Sequence, residues 1–366
     1  MRVGIATESA PGEHRVSLVP DSVARLVRGG IEVLVERGAG QRAFLPDGLY
    51  ERAGARLVGG EDALSAELVL AVRRPAGERA ARLREGATLV GLLQPATGAE
   101  FFRSLAERGV QALAMERVPR IMRAQPLDAL SSQATVAGYK AVLLGAASAP
   151  RLLPMLTTAA GTIPPARVLV VGAGVAGLQA IATARRLGGV VSAFDVRPAV
   201  REQVQSLGAS FVDSGVRSEG AGGYAAELAA EAQSRVLAAV AGAIADQDLV
   251  VCTAQVPGKR APVLVTDEMI RSMKAGAVIV DLAAESGGNT AATRPGETTE
   301  VGGVQVLAPL DLASTVPLHA SQLYARNLEA LLKLVLADGR VRLDPADEII
   351  GPMAVVLDRR VRLGAP

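Results

Sequence analysis

The chain holds one cysteine, Cys252, and two histidines, His14 and His319, among 366 residues. A single cysteine excludes a disulfide scaffold and points to a reducing compartment. Cys252 stands in the apolar run Asp248-Leu-Val-Val-Cys-Thr, which suits a buried structural thiol better than a nucleophile. His14, in Gly-Glu-His-Arg, falls near a loop, and His319 opens a late helical stretch, so surface or capping roles are expected of both. No metal site is expected. Charge of one sign is not in excess: 39 Lys and Arg face 37 Asp and Glu, for a net charge of +2. That balance gives no broad field to draw nucleic acid or an anionic membrane. No eighteen-residue stretch runs free of charge, glycine or proline, so no segment reads as a bilayer span and no direct membrane insertion is expected. The first residues, Met1-Arg-Val-Gly-Ile-Ala, enter a strand and carry no signal-peptide pattern, which predicts a cytosolic chain.

What the sequence does have is apolar content, 49% of residues, on a chain long enough for two separate cores. Short apolar runs at residues 2–7, 31–36, 68–72, 88–93 and 110–115 alternate with helical stretches. The same alternation resumes at 168, with runs at 191–194, 249–253, 277–281 and 304–307. Strands that alternate with helices predict mostly parallel sheets wrapped on both faces. The expected fold class is therefore α/β, with two doubly wound, Rossmann-like domains. The spacing predicts a helix over 128–144, a proline-punctuated approach at Pro150, Pro154, Pro164 and Pro165, and a late helix from His319 to Ala337. The last thirty or so residues are expected to return to the first domain, giving 1–130 plus 314–366 and 131–313 as the two domains.

The most informative run is Val168-Leu-Val-Val-Gly172-Ala-Gly174-Val-Ala-Gly177, a β-branched strand that flows through a glycine turn into an alanine-rich helix. Gly172 permits the tight turn, Gly174 lets backbone approach a pyrophosphate, and Gly177 lets the helix pack close to the strand. A following strand at 189–196 carries Asp195, about twenty residues past the first glycine, where a carboxylate can accept hydrogen bonds from an adenine ribose diol. A 2′-phosphate would meet a negative charge there, so NAD(H) is expected over NADP(H). The turn at Glu36-Arg-Gly38-Ala-Gly40 lacks the third glycine and a matching acid, and is read as packing.

Five segments carry a family resemblance that runs nearly end to end. They are Arg120-Ile-Met-Arg-Ala-Gln125-Pro-Leu-Asp128-Ala-Leu-Ser131-Ser-Gln, Pro164-Pro-Ala-Arg-Val-Leu-Val-Val-Gly172, Ala221-Gly-Gly-Tyr224-Ala, Pro257-Gly-Lys-Arg-Ala-Pro262 and Asp281-Leu-Ala-Ala-Glu-Ser-Gly-Gly-Asn289. Together they resemble the NAD(H)-binding domain I, or alpha subunit, of proton-translocating NAD(P) transhydrogenase, which is related to alanine dehydrogenase. The resemblance implies that Arg120, Gln125, Asp128 and Ser131 position a nicotinamide for hydride transfer. Ser131 and backbone groups suit a carboxamide, and Gln125 can bridge toward ribose hydroxyls. Arg120 either pairs with Asp128 to hold the loop or reaches phosphate of the incoming nucleotide. Cofactor contacts are implied at Gly172, Gly174, Val175, Ala176, Gly177, Asp195, Val196, Arg197, Tyr224 and Gln255. Tyr224 would belong to a loop folding over NAD, or to a plain surface loop before the helix from Ala225. The segment at Pro257 is both a turn and the lip of the nucleotide crevice.

Alanine dehydrogenases use an acid–base histidine and a carboxylate-holding lysine; where they have them, this chain has Gln94 in Leu-Leu-Gln-Pro and Arg73 in Val-Arg-Arg-Pro. Hydride exchange between two nicotinamides moves no proton at the reacting carbons and needs alignment and exclusion of water instead. The resemblance thus implies a homodimer that docks on an NADP(H)-binding subunit and a membrane-spanning subunit, peripheral at the cytoplasmic face of the inner membrane. Alternatives are an amino-acid dehydrogenase and a non-catalytic NAD-binding regulatory module. One departure from the family pattern stands at Leu310-Asp-Leu-Ala-Ser-Thr315, which either alters local contacts or is tolerated drift in a connecting segment.

Overall fold

A computed structural model describes residues 1–218, 229–255 and 259–363. The chain divides into two compact units, Met1–Gln133 with Ala313–Pro366, and Ala134–Leu312. Each is an α/β body around a mostly parallel sheet.

In the first unit β1 (Arg2–Ile5), β2 (Glu32–Glu36), β3 (Arg56–Val58), β4 (Leu68–Arg73), β5 (Thr88–Leu92) and β6 (Gln111–Ala114) run parallel in the order β3-β2-β1-β4-β5-β6. Side chains of successive residues leave a strand on opposite faces, and both faces are covered. Leu68, Leu70 and Val72 pack into one core with Tyr50 and Leu328, while Val69 and Ala71 pack into another with Phe102 and Leu105. The apolar strands therefore read as continuous runs, as a sheet buried on both sides requires.

The first strands of the second unit form an antiparallel hairpin, β7 (Leu156–Thr158) and β8 (Gly161–Ile163), all six of whose strand residues are exposed. Its sheet contains β9 (Arg167–Val171), β10 (Val190–Phe194), β11 (Ser210–Val212), β12 (Leu249–Cys252), β13 (Val278–Asp281), β14 (Thr298–Val301) and β15 (Val304–Leu307). The order is β11-β10-β9-β12-β13-β15-β14, parallel except for β14. Val168 and Val170 pack into one core with Ile181 of the helix Val175–Arg186; Leu169 and Val171 pack into the other with Val236 and Val240 of the helix Ala230–Ile244. Cys252 is fully buried, and burial together with nearby Asp281 pushes its thiol well above the ordinary range.

The chain passes from the first unit into the second along the helix Ala129–Ser148. It re-enters the first at Ala313 and forms the helix Pro317–Val335, with proline at the helix start, where its missing N–H costs nothing. A short ribbon, β16 (Leu336–Ala337) and β17 (Arg340–Val341), follows; then β18 (Ala354–Leu357) adds antiparallel to β6, and β19 (Arg360–Val361) lies outside it. No helix among the described residues is long and apolar enough to cross a membrane.

The strands β3, β11, β14 and the hairpin do not register as apolar runs, because they are short and largely exposed or half-buried, so burial imposes no apolar run on them. The late helix starts at Pro317, two residues ahead of His319, and both histidines are exposed. The Leu310–Thr315 stretch has a structural use: Ser314, fully buried, donates through its hydroxyl to the Gly12 carbonyl at 2.8 Å and accepts from the His14 amide at 2.7 Å.

Candidate nucleotide site

In the second unit the order of the sheet reverses between β10 and β12, on either side of β9, and the glycine turn leaves β9 at that point. Open α/β sheets bind ligands at such a reversal, outside the carboxyl ends of their strands. Gly172 has φ of +97°, which an L side chain resists. Its amide donates to the Phe194 carbonyl at 2.8 Å, and its carbonyl accepts from the Thr253 hydroxyl at 2.7 Å, so the turn is tied to both neighbouring strands. Gly177 is required by contact, since a Cβ there would stand 1.9 Å from the Gly172 carbonyl oxygen.

Gly174 is different. A Cβ there would meet nothing closer than an Arg197 guanidinium nitrogen at 3.8 Å. Packing does not require this glycine; what it leaves is bare backbone facing open space. Gly174 is also the N-cap of the helix Val175–Arg186, and no side chain caps that helix. The first-turn amides at Val175, Ala176 and Gly177 have no intrahelical acceptor and lie at the positive end of the helix dipole. A pyrophosphate fits such a cradle, so the residues present fit a dinucleotide on the strength of this geometry alone. The helix is placed by a second close contact, because a Cβ on Gly138 would stand 2.1 Å from the Ala176 carbonyl oxygen.

Asp195 follows β10 and is buried. Its carboxylate accepts from the Ala173 amide in the glycine turn at 2.7 Å, from the Arg197 amide at 2.9 Å, and from the Arg197 guanidinium at 2.9 and 2.6 Å. Val196 and Arg197 are half-buried beside it, and Gln255, exposed past β12, donates to the Leu282 carbonyl at 2.7 Å. Tyr224, the rest of 221–225, Pro257 and Gly258 lie outside the described residues.

Two residues that sequence reasoning had not singled out organise this rim. Asp281, fully buried, accepts from the amides of Ala283, Asn289 and Thr290 and from the Thr293 hydroxyl. Asn289, also fully buried, accepts from the Ala254 amide at 2.9 Å and donates to the carbonyls of Ala254 and Pro262, both at 2.8 Å. Their shared segment was a motif of resemblance, but nothing in its spacing discloses which backbone groups they reach.

Arg120, Gln125, Asp128 and Ser131 belong to the first unit, on and around a 3-10 turn at Met122–Leu127. Asp128 is the cap of the helix that follows: it accepts from the Ser131 amide at 2.9 Å and the Ser131 hydroxyl at 2.6 Å. Gln125 and Arg120 are exposed. Asn327 supports the turn from beneath, donating to the Pro126 carbonyl at 2.8 Å and accepting from the Ser132 hydroxyl at 2.7 Å. The one available signal for Asn327 was a polar residue within the apolar stripe of Tyr324, Leu328 and Leu331. Arg123 pairs with Asp347 at 2.8 Å and Glu348 at 3.1 Å.

The first unit also holds a buried ionic cluster. Glu13 receives the Arg15 guanidinium, with Nε at 2.7 Å, and Arg73 Nε at 3.3 Å; Arg15 donates as well to the Gln133 side chain at 2.8 Å. Burial alone would raise the Glu13 carboxyl, but Arg15 overrides it and holds it at about 2. Glu8 accepts from the Val72 amide at 2.6 Å and the Arg73 amide at 3.0 Å, yet burial pushes its carboxyl up to about 7. Gln94, in the left-handed region at φ of +53°, donates its amide to Glu116.

An open glycine cradle at the reversal point of a doubly wound sheet defines an α/β protein of Rossmann type, whose crevice suits a dinucleotide. The chain matches the alanine dehydrogenase/PNT N-terminal domain over residues 4–137 and the alanine dehydrogenase/PNT C-terminal domain over residues 141–363, and it belongs to that family. It is 42% identical over 364 residues to the NAD(P) transhydrogenase subunit alpha of Haemophilus influenzae, covering 98% of this chain and 71% of that one. It is 34% identical over 300 residues to alanine dehydrogenase of Mycobacterium tuberculosis, covering 81% and 76%. Among solved structures, it is similar to the transhydrogenase from Sinorhizobium meliloti, with a TM-score of 0.91 at 46% identity over 99% of this chain and all (100%) of that one.

Proposed function

We propose that the chain is the NAD(H)-binding alpha-subunit component of a proton-translocating NAD(P) transhydrogenase, carrying out NADH + NADP⁺ → NAD⁺ + NADPH with NADP(H) held by a partner subunit. The observation that carries this reading is the bare, uncapped cradle at Gly174, supported by the higher identity to transhydrogenase alpha subunits than to alanine dehydrogenase. NADH supplies the hydride. The chain's own residues bind and align it: the amides of Val175–Gly177 hold the pyrophosphate and Asp195 the adenine ribose, with Val196, Arg197 and Gln255 beside them; Tyr224 is a contact on the resemblance alone. Ser131, whose hydroxyl donates to Asp128, is assigned by the resemblance to the carboxamide, and Gln125 offers donor and acceptor to ribose. No residue is asked to move a proton, since catalysis here is alignment.

An amino-acid dehydrogenase would need a cation free for the substrate carboxylate and a general base. Glu13 already draws on both Arg15 and Arg73, and Gln94 cannot serve as the base. The proposed homodimer has a candidate surface in the β7–β8 hairpin, where Met155, Leu156 and Ile163 are exposed on a segment without a charged residue from 152 to 166. A lone two-stranded hairpin is marginal in water and gains from a second copy. The docked complex is peripheral at the cytoplasmic face of the inner membrane, where its partners couple transfer to proton movement.

The test is to mix the purified chain with an NADP-binding component and follow NADPH formation from NADH. The chain alone should bind NADH and form no NADPH, and it should make no pyruvate from alanine with NAD⁺. Gln125→Ala and Asp128→Asn should lower kcat by tenfold or more while the Kd for NADH changes less than threefold. Equal losses in both quantities would sink the alignment role, and pyruvate formation would replace the reading with the dehydrogenase one.

A further inference from the structure

The Asp195–Arg197 pair holds more than a ribose acceptor. Both carboxylate oxygens are engaged: one accepts from the Arg197 amide and Nε at 2.9 Å each, the other from Arg197 Nη2 at 2.6 Å and the Ala173 amide at 2.7 Å. Four donors match the roughly four lone-pair directions that a carboxylate offers. A ribose diol therefore reaches Asp195 only by taking bonds that the guanidinium now makes. That guanidinium also borders the cradle, since Arg197 Nη2 is the nearest atom to a Cβ built on Gly174, at 3.8 Å. The pair is well shielded, with 17% of the Arg197 side chain and 6% of the Asp195 side chain exposed.

We infer that Asp195 and Arg197 form one selectivity element, in which Arg197 is the group able to read an adenosine 2′-phosphate and Asp195 keeps it silent. The reasoning is electrostatic and geometric. A guanidinium beside a dinucleotide ribose is the usual partner of a 2′-phosphate, which it clasps in the same two-pronged way as a carboxylate. Here Nε and Nη2 already hold Asp195, and the carboxylate's own charge repels a phosphate. Neutralising Asp195 removes the repulsion and the charge that ties down the guanidinium together. Removing Arg197 leaves Asp195 open to the ribose diol and unopposed against phosphate.

This inference rests on the nucleotide-cradle reading, and titration of the full chain with NADH and with NADPH separates the two. Asp195→Asn should tighten NADPH and weaken NADH, shifting the ratio of their Kd values by tenfold or more toward NADPH. Adding Arg197→Gln to that variant should abolish the gain. Arg197→Gln alone leaves the Ala173–Asp195 bond in place, and it should hold or tighten NADH while weakening NADPH further. If the double variant binds NADPH as well as Asp195→Asn does, or if Arg197→Gln leaves the ratio unchanged, the role given to Arg197 falls while the cradle reading stands. If the wild-type chain binds neither nucleotide, the cradle reading falls and takes this inference with it.

Discussion

Replacing Gly174 and Gly177 by alanine, one at a time, separates a glycine kept for ligand from a glycine kept for packing. At Gly177 the new methyl would start 1.9 Å from the Gly172 carbonyl oxygen and 2.9 Å from its carbon. Carbon and oxygen need about 3.2 Å, so backbone must move by about 1 Å where the helix Val175–Arg186 meets the turn, at a cost of about 3 kcal/mol, the upper part of the overpacking range. At Gly174 the φ of −75° suits alanine, and the nearest atom is the end of a flexible side chain at 3.8 Å. Losing glycine at an N-cap costs up to about 1 kcal/mol, offset by roughly 0.4–1 kcal/mol from a stiffer unfolded chain. Gly174→Ala should therefore unfold in urea within about 1 kcal/mol of wild type, a difference set by those two opposed effects. Its Cβ nevertheless occupies the surface a pyrophosphate approaches, so calorimetric titration should show NADH binding weakened at least tenfold, about 1.4 kcal/mol. Gly177→Ala should lose stability first and affinity as a consequence. A Gly174→Ala chain that keeps wild-type affinity, or that is destabilised as much as Gly177→Ala, refutes the assignment of Gly174 to ligand.

Glu8 predicts a pH dependence of stability. Its carboxyl titrates at about 7 in the fold against 4.5 when unfolded, so between those values the native chain binds the extra proton and stability falls as pH rises. The full loss, reached above 7, is about 3 kcal/mol. Melting from pH 5 to pH 7.5 should show a declining Tm that Glu8→Gln flattens; a parallel slope in the variant would refute it. Glu13 acts in the opposite sense and lower down: its carboxyl is depressed to about 2, so its contribution is present above 4.5 and is lost as pH falls toward 2. Asn289→Ala would strand the Ala254 amide and two carbonyls. It should cost about 3 kcal/mol in urea unfolding, and a variant as stable as wild type would show that water replaces the side chain. Cys252 should resist a thiol reagent in the folded chain and react on unfolding, because the buried thiol has neither access nor thiolate character; fast labelling of native protein would contradict the burial.

The α/β, doubly wound character was legible before any coordinates because it is written in local periodicity. Runs such as Leu68–Arg73 and Arg167–Val171 are apolar at every position that a doubly covered parallel strand must bury, and each is followed by residues of helical pattern. The glycine turn was legible for the same reason, since the positive φ of Gly172 is local and the demand on Gly177 comes from Gly172, five residues away. Strands of three residues, such as β3 and β11, were not, and neither was the exposed hairpin, whose residues carry no alternation because no face of it is buried within its unit.

Sequence alone thus determined which segments become strands and helices and where a nucleotide-shaped turn falls, because those properties depend on side chains within one or two turns of chain. Tertiary structure decided the rest. It put Arg197 on the carboxylate of Asp195, set Asn289 against Ala254 and Pro262, placed Asn327 under Pro126 across a separation of 201 residues, and paired β18 with β6. Such contacts are chosen by which buried polar groups must find partners once the sheets have formed, a condition that exists only after the chain has closed on itself.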